Sequence, residues 1–74
     1  MKEKIDYLST LFVGIDIASR IHVISALDFN QDFFIKMKPV QNSQEGAVLL
    51  ENMIVDVLKE NHQFKYVVIA MEST

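Results

Sequence analysis

Two carboxylates sit where strand-like runs would otherwise be wholly apolar. Asp16 lies inside "LFVGIDIA" (residues 11–18), and Glu72 stands at the end of "YVVIAME" (residues 66–72). Hard oxygen ligands of this kind suit Mg²⁺ or Mn²⁺, and a few carboxylates plus phosphate oxygens and water complete such an ion's shell. A pair of such ions can position and activate a nucleophile for attack on phosphorus. Gly14, Ala18 and Ala70 are small neighbours that leave room for a ligand. Without a cation, like charges held close together cost free energy. Each acid also has a plainer reading, as a solvated side chain or a cap on the next loop. That reading is harder to sustain for Asp16, because apolar residues flank it on both sides. Other reactive side chains offer less. His22 and His62 are far apart in sequence and have no partners at ligand spacing, so both read as surface or strand-face residues. Ser19 and Ser73 adjoin the acids without a His–Asp constellation, which favours turn or capping roles over nucleophilic ones. Phe29, Phe33 and Phe34 read as core or edge packing rather than as a base-stacking platform.

The elements that must position the two acids follow from hydrophobic period. In residues 11–18, Leu11, Val13, Ile15 and Ile17 share one face, and Phe12, Gly14, Asp16 and Ala18 share the other. Both faces are largely apolar, as in a strand covered on both sides. A short connection at Ser19-Arg20 leads to a second strand over residues 21–29, implying a tight antiparallel hairpin. "FNQD" then supplies a turn in which Asn30 best tolerates a left-handed conformation. The third strand, "FFIKMKPV", sets Phe34, Lys36 and Lys38 against Phe33, Ile35 and Met37, and Pro39 ends it or marks it as an edge. Lys36 and Lys38 read as a solvated edge protected against edge pairing. The period then changes. Ala47, Leu50, Met53, Ile54, Val57 and Leu58 form a helical stripe, predicting a helix from about Ser43 to Asn61 with Asn42 or Ser43 as its cap. Glu45 places negative charge in the first turn, where the helix dipole favours it. A right-handed crossover brings the last strand parallel to the first. The expected fold class is α/β, order β-β-β-α-β, with a mixed four-stranded sheet in the order 3-2-1-4. Asp16 and Glu72 then fall at the same end of neighbouring parallel strands.

Bulk properties narrow the field. Seventy-four residues make one small domain, with residues 1–10 as a charged lead-in. No apolar run approaches the roughly 18 residues of a membrane helix, and nothing resembles a signal peptide. The absence of cysteine excludes a disulfide framework and a thiolate metal site. Ten acids against seven scattered bases give a net charge of −3, so no basic stripe marks a nucleic-acid footprint. Contact with DNA or RNA would need metal ions, or basic residues supplied from elsewhere.

Several motifs carry a family likeness. "VGIDIAS", a hairpin ending in "ALD", then "NSQEGAVLLENMI" and finally "VVIAMEST" together resemble the N-terminal part of transposases of the IS110 (IS110/IS116/IS902) insertion-sequence group. The likeness spans residues 12–74, and the first- and last-strand motifs are its most specific parts. It implies a RuvC-like, ribonuclease H-like domain with four acids in the order Asp, Glu, Asp, Asp. Asp16 would be the first and Glu72 the second, acting as catalytic metal ligands for Mg²⁺ (or Mn²⁺). Arg20 after Ser19 fits a basic residue common in the family, whereas Phe29-Asn30 replaces a frequent turn glycine. DNA is the implied substrate, with a guide RNA implicated in the family's target and donor recognition. A bacterial or archaeal cytoplasm, at the nucleoid, is the implied location. The sequence ends two residues after Glu72, so the expectation is an N-terminal fragment that lacks the third and fourth acids and is inactive alone. An open strand edge further implies a homo-oligomer.

Two other classes compete. Actin-like ATPases and sugar kinases also begin with a "GIDIG"-type strand before a phosphate-binding hairpin, but Ala18 replaces the second glycine and "SRIH" is a poor phosphate cradle. A non-catalytic interaction module with a degenerate site is the third reading. Saturable ATP binding would favour the kinase class; metal-dependent nucleic-acid binding would favour the transposase.

Overall fold

A computed structural model describes residues 6–73. A single 3-10 turn (Tyr7–Ser9) leads into β1 (Thr10–Ile17), β2 (Ile21–Leu27), β3 (Phe33–Gln41), α1 (Gln44–Glu60) and β4 (Tyr66–Ser73). The four strands form one sheet in the order β3-β2-β1-β4. β1 pairs antiparallel with β2 and parallel with β4, and β2 pairs antiparallel with β3. The α/β class, the element order and the strand order all match the reading of the sequence. The expected lead-in lies partly outside the described residues. Of its remainder, residues 6–9 form the turn and Thr10 already belongs to the first strand.

One face of the sheet is apolar, and α1 packs on it over β1–β3, leaving Ile69 and Met71 of β4 exposed. Leu11, Val13 and Ile15 of β1, Ile24 and Ala26 of β2, and Ile35 and Val40 of β3 are buried there with Val57 and Phe64. Leu50, Met53, Ile54 and Leu58 of α1 pack against this core, which is most of the predicted helical stripe. Phe34 meets Phe64 edge to face at 5.1 Å and closes one end. Ser43 caps the helix, its Oγ accepting the Gly46 amide at 3.1 Å. At the other terminus Asn61 donates from Nδ2 to the Val57 carbonyl at 2.8 Å.

Three details differ from expectation. The sheet is covered on one face only among the described residues, so Asp16 is exposed rather than enclosed. The left-handed residue of the β2–β3 turn is Gln31, at φ 68°, not Asn30. The Asp28 amide donates to the Asp32 carbonyl at 3.1 Å, enclosing a three-residue loop, and such loops place the left-handed residue last. Finally, β3 does not alternate cleanly. Its pairing with β2 shifts register between Ile24 and Ala26, and again between Ala26 and Leu27. Each shift sets an extra β3 residue against β2, and the one between Ile24 and Ala26 lets Ile35 and Val40 both reach the core although strict alternation would separate them. No helix among the described residues is long and apolar enough to cross a membrane.

Candidate functional site

Asp16 and Glu72 are direct register partners across the parallel β1–β4 pair. Partners in register point to the same side of a sheet, and neighbouring strands lie about 4.8 Å apart. The two carboxylates therefore stand side by side near the C-terminal ends of their strands, on the face opposite α1. Both are exposed, and among the described residues neither takes part in a hydrogen bond or ion pair. Each strand holds its acid in place through ladder pairing that extends from Thr10↔Tyr66 to Ile17↔Ser73. The buried side chains of β1 alternate with the site face, so the core that fixes the strand also fixes where Asp16 emerges.

Beside the pair lies a depression of about 350 Å³, lined by Gly14, Asp16, Val23, Ser25, Met37, Ala70 and Glu72 with an edge from Ile15. Its volume falls at the low end of the roughly 300–1,000 Å³ of small-molecule sites. Gly14 and Ala70 are register partners, and Ser25 faces Gly14 from β2, so a row of small side chains forms the floor. A Cβ added at Gly14 would meet nothing within 4 Å. The glycine thus reflects no packing demand from the fold.

Met37 lines this face against the alternation of its strand. Strict alternation on β3 places it with Ile35, which is buried under the helix. Instead the bulge sets Lys36 and Met37 together against Ser25. Met37 adopts φ 49°, and its amide donates to Ser25 Oγ at 3.0 Å. A left-handed conformation costs a side-chain-bearing residue about 1–2 kcal/mol. Nothing in the alternation of "FFIKMKPV" signals the bulge, whereas Val23 and Ser25 follow from period and register alone.

The lining contains no cationic side chain, so an anion could be held beside these acids only with a cation between them. The donor set fits Mg²⁺, an ion usually held by one or two carboxylates and completed by waters and substrate phosphates. No group of three or more His, Cys, Asp or Glu suited to a metal occurs among the described residues. The histidines are not brought together. His22 accepts the Ala18 amide at Nδ1, at 3.1 Å, and His62 lies exposed beyond the helix. Ser19 and Arg20 serve the turn: their carbonyls accept from Asn42 Nδ2 at 3.1 Å and the Asn42 amide at 2.8 Å. Asn42 thereby ties the β1–β2 turn to the start of the helix, leaving the cap to Ser43.

Together these elements define a small α/β domain with a mixed four-stranded sheet, one helix and a carboxylate pair on its open face. Comparison of the chain with protein families, with curated proteins and with solved structures finds no match.

Proposed function

We propose that the chain is the N-terminal part of a DNA transposase or recombinase with a RuvC-like, ribonuclease H-like fold. In this reading it provides two acidic ligands of a divalent-metal site for phosphodiester cleavage and transfer. The observation that carries this reading is the register pairing of Asp16 with Glu72 on adjacent parallel strands. It gives physical substance to the sequence motifs around both acids. A Mg²⁺ or Mn²⁺ ion bound there supplies positive charge for phosphate oxygens and lowers the pKa of a bound water. The chain's own contribution is to present both carboxylates from paired strands, so that their backbone positions are already fixed before binding. The small floor at Gly14 and Ala70 lets a phosphodiester approach. Phosphoryl oxygens and further acids would complete the shell.

The kinase-like alternative is less well supported. A phosphate-cradling turn needs free backbone amides. In the β1–β2 turn, the Ala18 amide is already engaged by His22.

Fluorescence anisotropy with labelled DNA tests the proposal. Binding is expected in Mg²⁺, absent in EDTA, and lost in both Asp16→Asn and Glu72→Gln. DNA binding that ignores both the chelator and the substitutions would overturn the site assignment. Saturable binding of ATP in its place would favour the kinase class.

A further inference from the structure

We propose that the depression beside the carboxylate pair is a nucleoside subsite, held open at Gly14 and walled by Met37. It would receive the sugar and base next to a phosphate held at Asp16 and Glu72. This inference rests on the function proposed above and deepens it, since it names which part of a nucleic acid the domain grips beyond the reacting phosphate.

Three independent features lead here. The first is an open floor. Gly14 sits mid-strand, where glycine ordinarily weakens a sheet, and no neighbouring atom would obstruct a Cβ. Its backbone has no positive φ, so neither conformation nor packing requires glycine. A close-approaching ligand would.

The second feature is Met37, a non-glycine residue in the left-handed region and 68% exposed. The fold gains no core packing from its side chain. The bulge that places it brings Met37 into the lining of the depression beside the same small-residue floor, with its amide fixed to Ser25 Oγ at 3.0 Å. Bulges next to active sites commonly re-aim a side chain in this way, and an outlying backbone angle at such a place points to function. A flexible, polarisable thioether suits a varying apolar surface such as the face of a base or sugar.

The third feature is polarity. The register row of Asp16 and Glu72, with Val23 beside Asp16, carries both carboxylates, and the next row of the depression is formed by Gly14, Ala70 and Ser25 with Met37. A nucleotide has the matching division, an anionic phosphate that a cation can bridge to the acids and, beyond it, a base whose flat faces stack on apolar side chains.

The test uses the chain itself with a labelled single-stranded oligothymidylate in Mg²⁺, alongside thermal denaturation. Met37→Gly is expected to melt at the same or a higher temperature, because glycine adopts φ 49° freely. It should bind the oligonucleotide about tenfold more weakly, as expected for a lost apolar contact. Met37→Leu restores an apolar wall and should recover most of the binding. Gly14→Val should also keep or raise the melting temperature while blocking the floor and reducing binding at least as much.

If wild type binds, Asp16→Asn abolishes binding, and Met37→Gly and Gly14→Val bind like wild type, the subsite is overturned while the metal-site reading stands. A melting temperature several degrees lower in Met37→Gly with unchanged affinity would likewise overturn the subsite, showing a packing role. A wild-type chain that takes up Mg²⁺ but no oligonucleotide would overturn the subsite and the nucleic-acid reading together. One that takes up neither would overturn the proposed function itself.

Discussion

At the scale of single residues, the informative fact is that Asp16 and Glu72 oppose each other directly across paired strands, exposed and without polar partners among the described residues. Like charges in that position destabilise a sheet, and cross-strand pairs are worth about 0.2–1 kcal/mol. Asp16→Asn and Glu72→Gln should therefore each make the metal-free chain more stable by about that amount, within the 0.2–1 kcal/mol scale of such pairs. In saturating Mg²⁺ the order should reverse. An ion that binds only the folded state stabilises it by mass action, and the variants lose most of that gain. Urea denaturation in EDTA and in excess Mg²⁺ checks both halves. Variants no more stable than wild type in EDTA would show that the acids do not repel one another. An order that fails to reverse in Mg²⁺ would show that they do not share an ion.

At the scale of elements, each piece's legibility in the sequence depended on how local its determinants are. The helix was read to within a residue at each end, because Ser43, Glu45 and the apolar stripe are local signals. β1 and β4 were legible from apolar runs, and their parallel pairing from the crossover rule, which together brought Asp16 and Glu72 to one end. The bulges in β3 were not legible, since they depend on how that strand meets β2 and on a tertiary hydrogen bond from Met37 to Ser25. Nor was the open face of the sheet, because an apolar run does not reveal which of its sides will be covered. Gly46 was seen only as part of a motif, yet it has a steric reason: a Cβ there would collide with the Gln41 carbonyl where the helix leaves β3. Gly46→Ala should accordingly destabilise the fold by about 1–3 kcal/mol, the usual scale of overpacking. That would reverse the gain alanine normally brings within a helix. Equal or greater stability in chemical denaturation would contradict this view of the β3–α1 junction.

At the scale of the whole molecule, the two edges of the sheet contrast. The β3 edge carries Lys36, Lys38, Pro39 and its bulges, features that discourage edge pairing. The β4 edge has none over Val67–Met71, and Ile69 and Met71 are exposed there. Self-association through β4 is therefore the expected behaviour. Sedimentation should show it growing with concentration into the high micromolar range, and Ile69→Lys should suppress it. A wild-type chain that stays monomeric throughout would remove the proposed homo-oligomer. The measurement that bears most directly on the carboxylate pair is paramagnetic broadening of assigned backbone resonances during titration with Mn²⁺. An ion shared by the two acids, as proposed, predicts broadening centred on Asp16 and Glu72 and extending to their neighbours Gly14 and Ala70, with Asp16→Asn abolishing it. Broadening centred instead on the acidic turn at Asp28 and Asp32, or on Glu45 in the first turn of the helix, would contradict a metal site on the open face of the sheet.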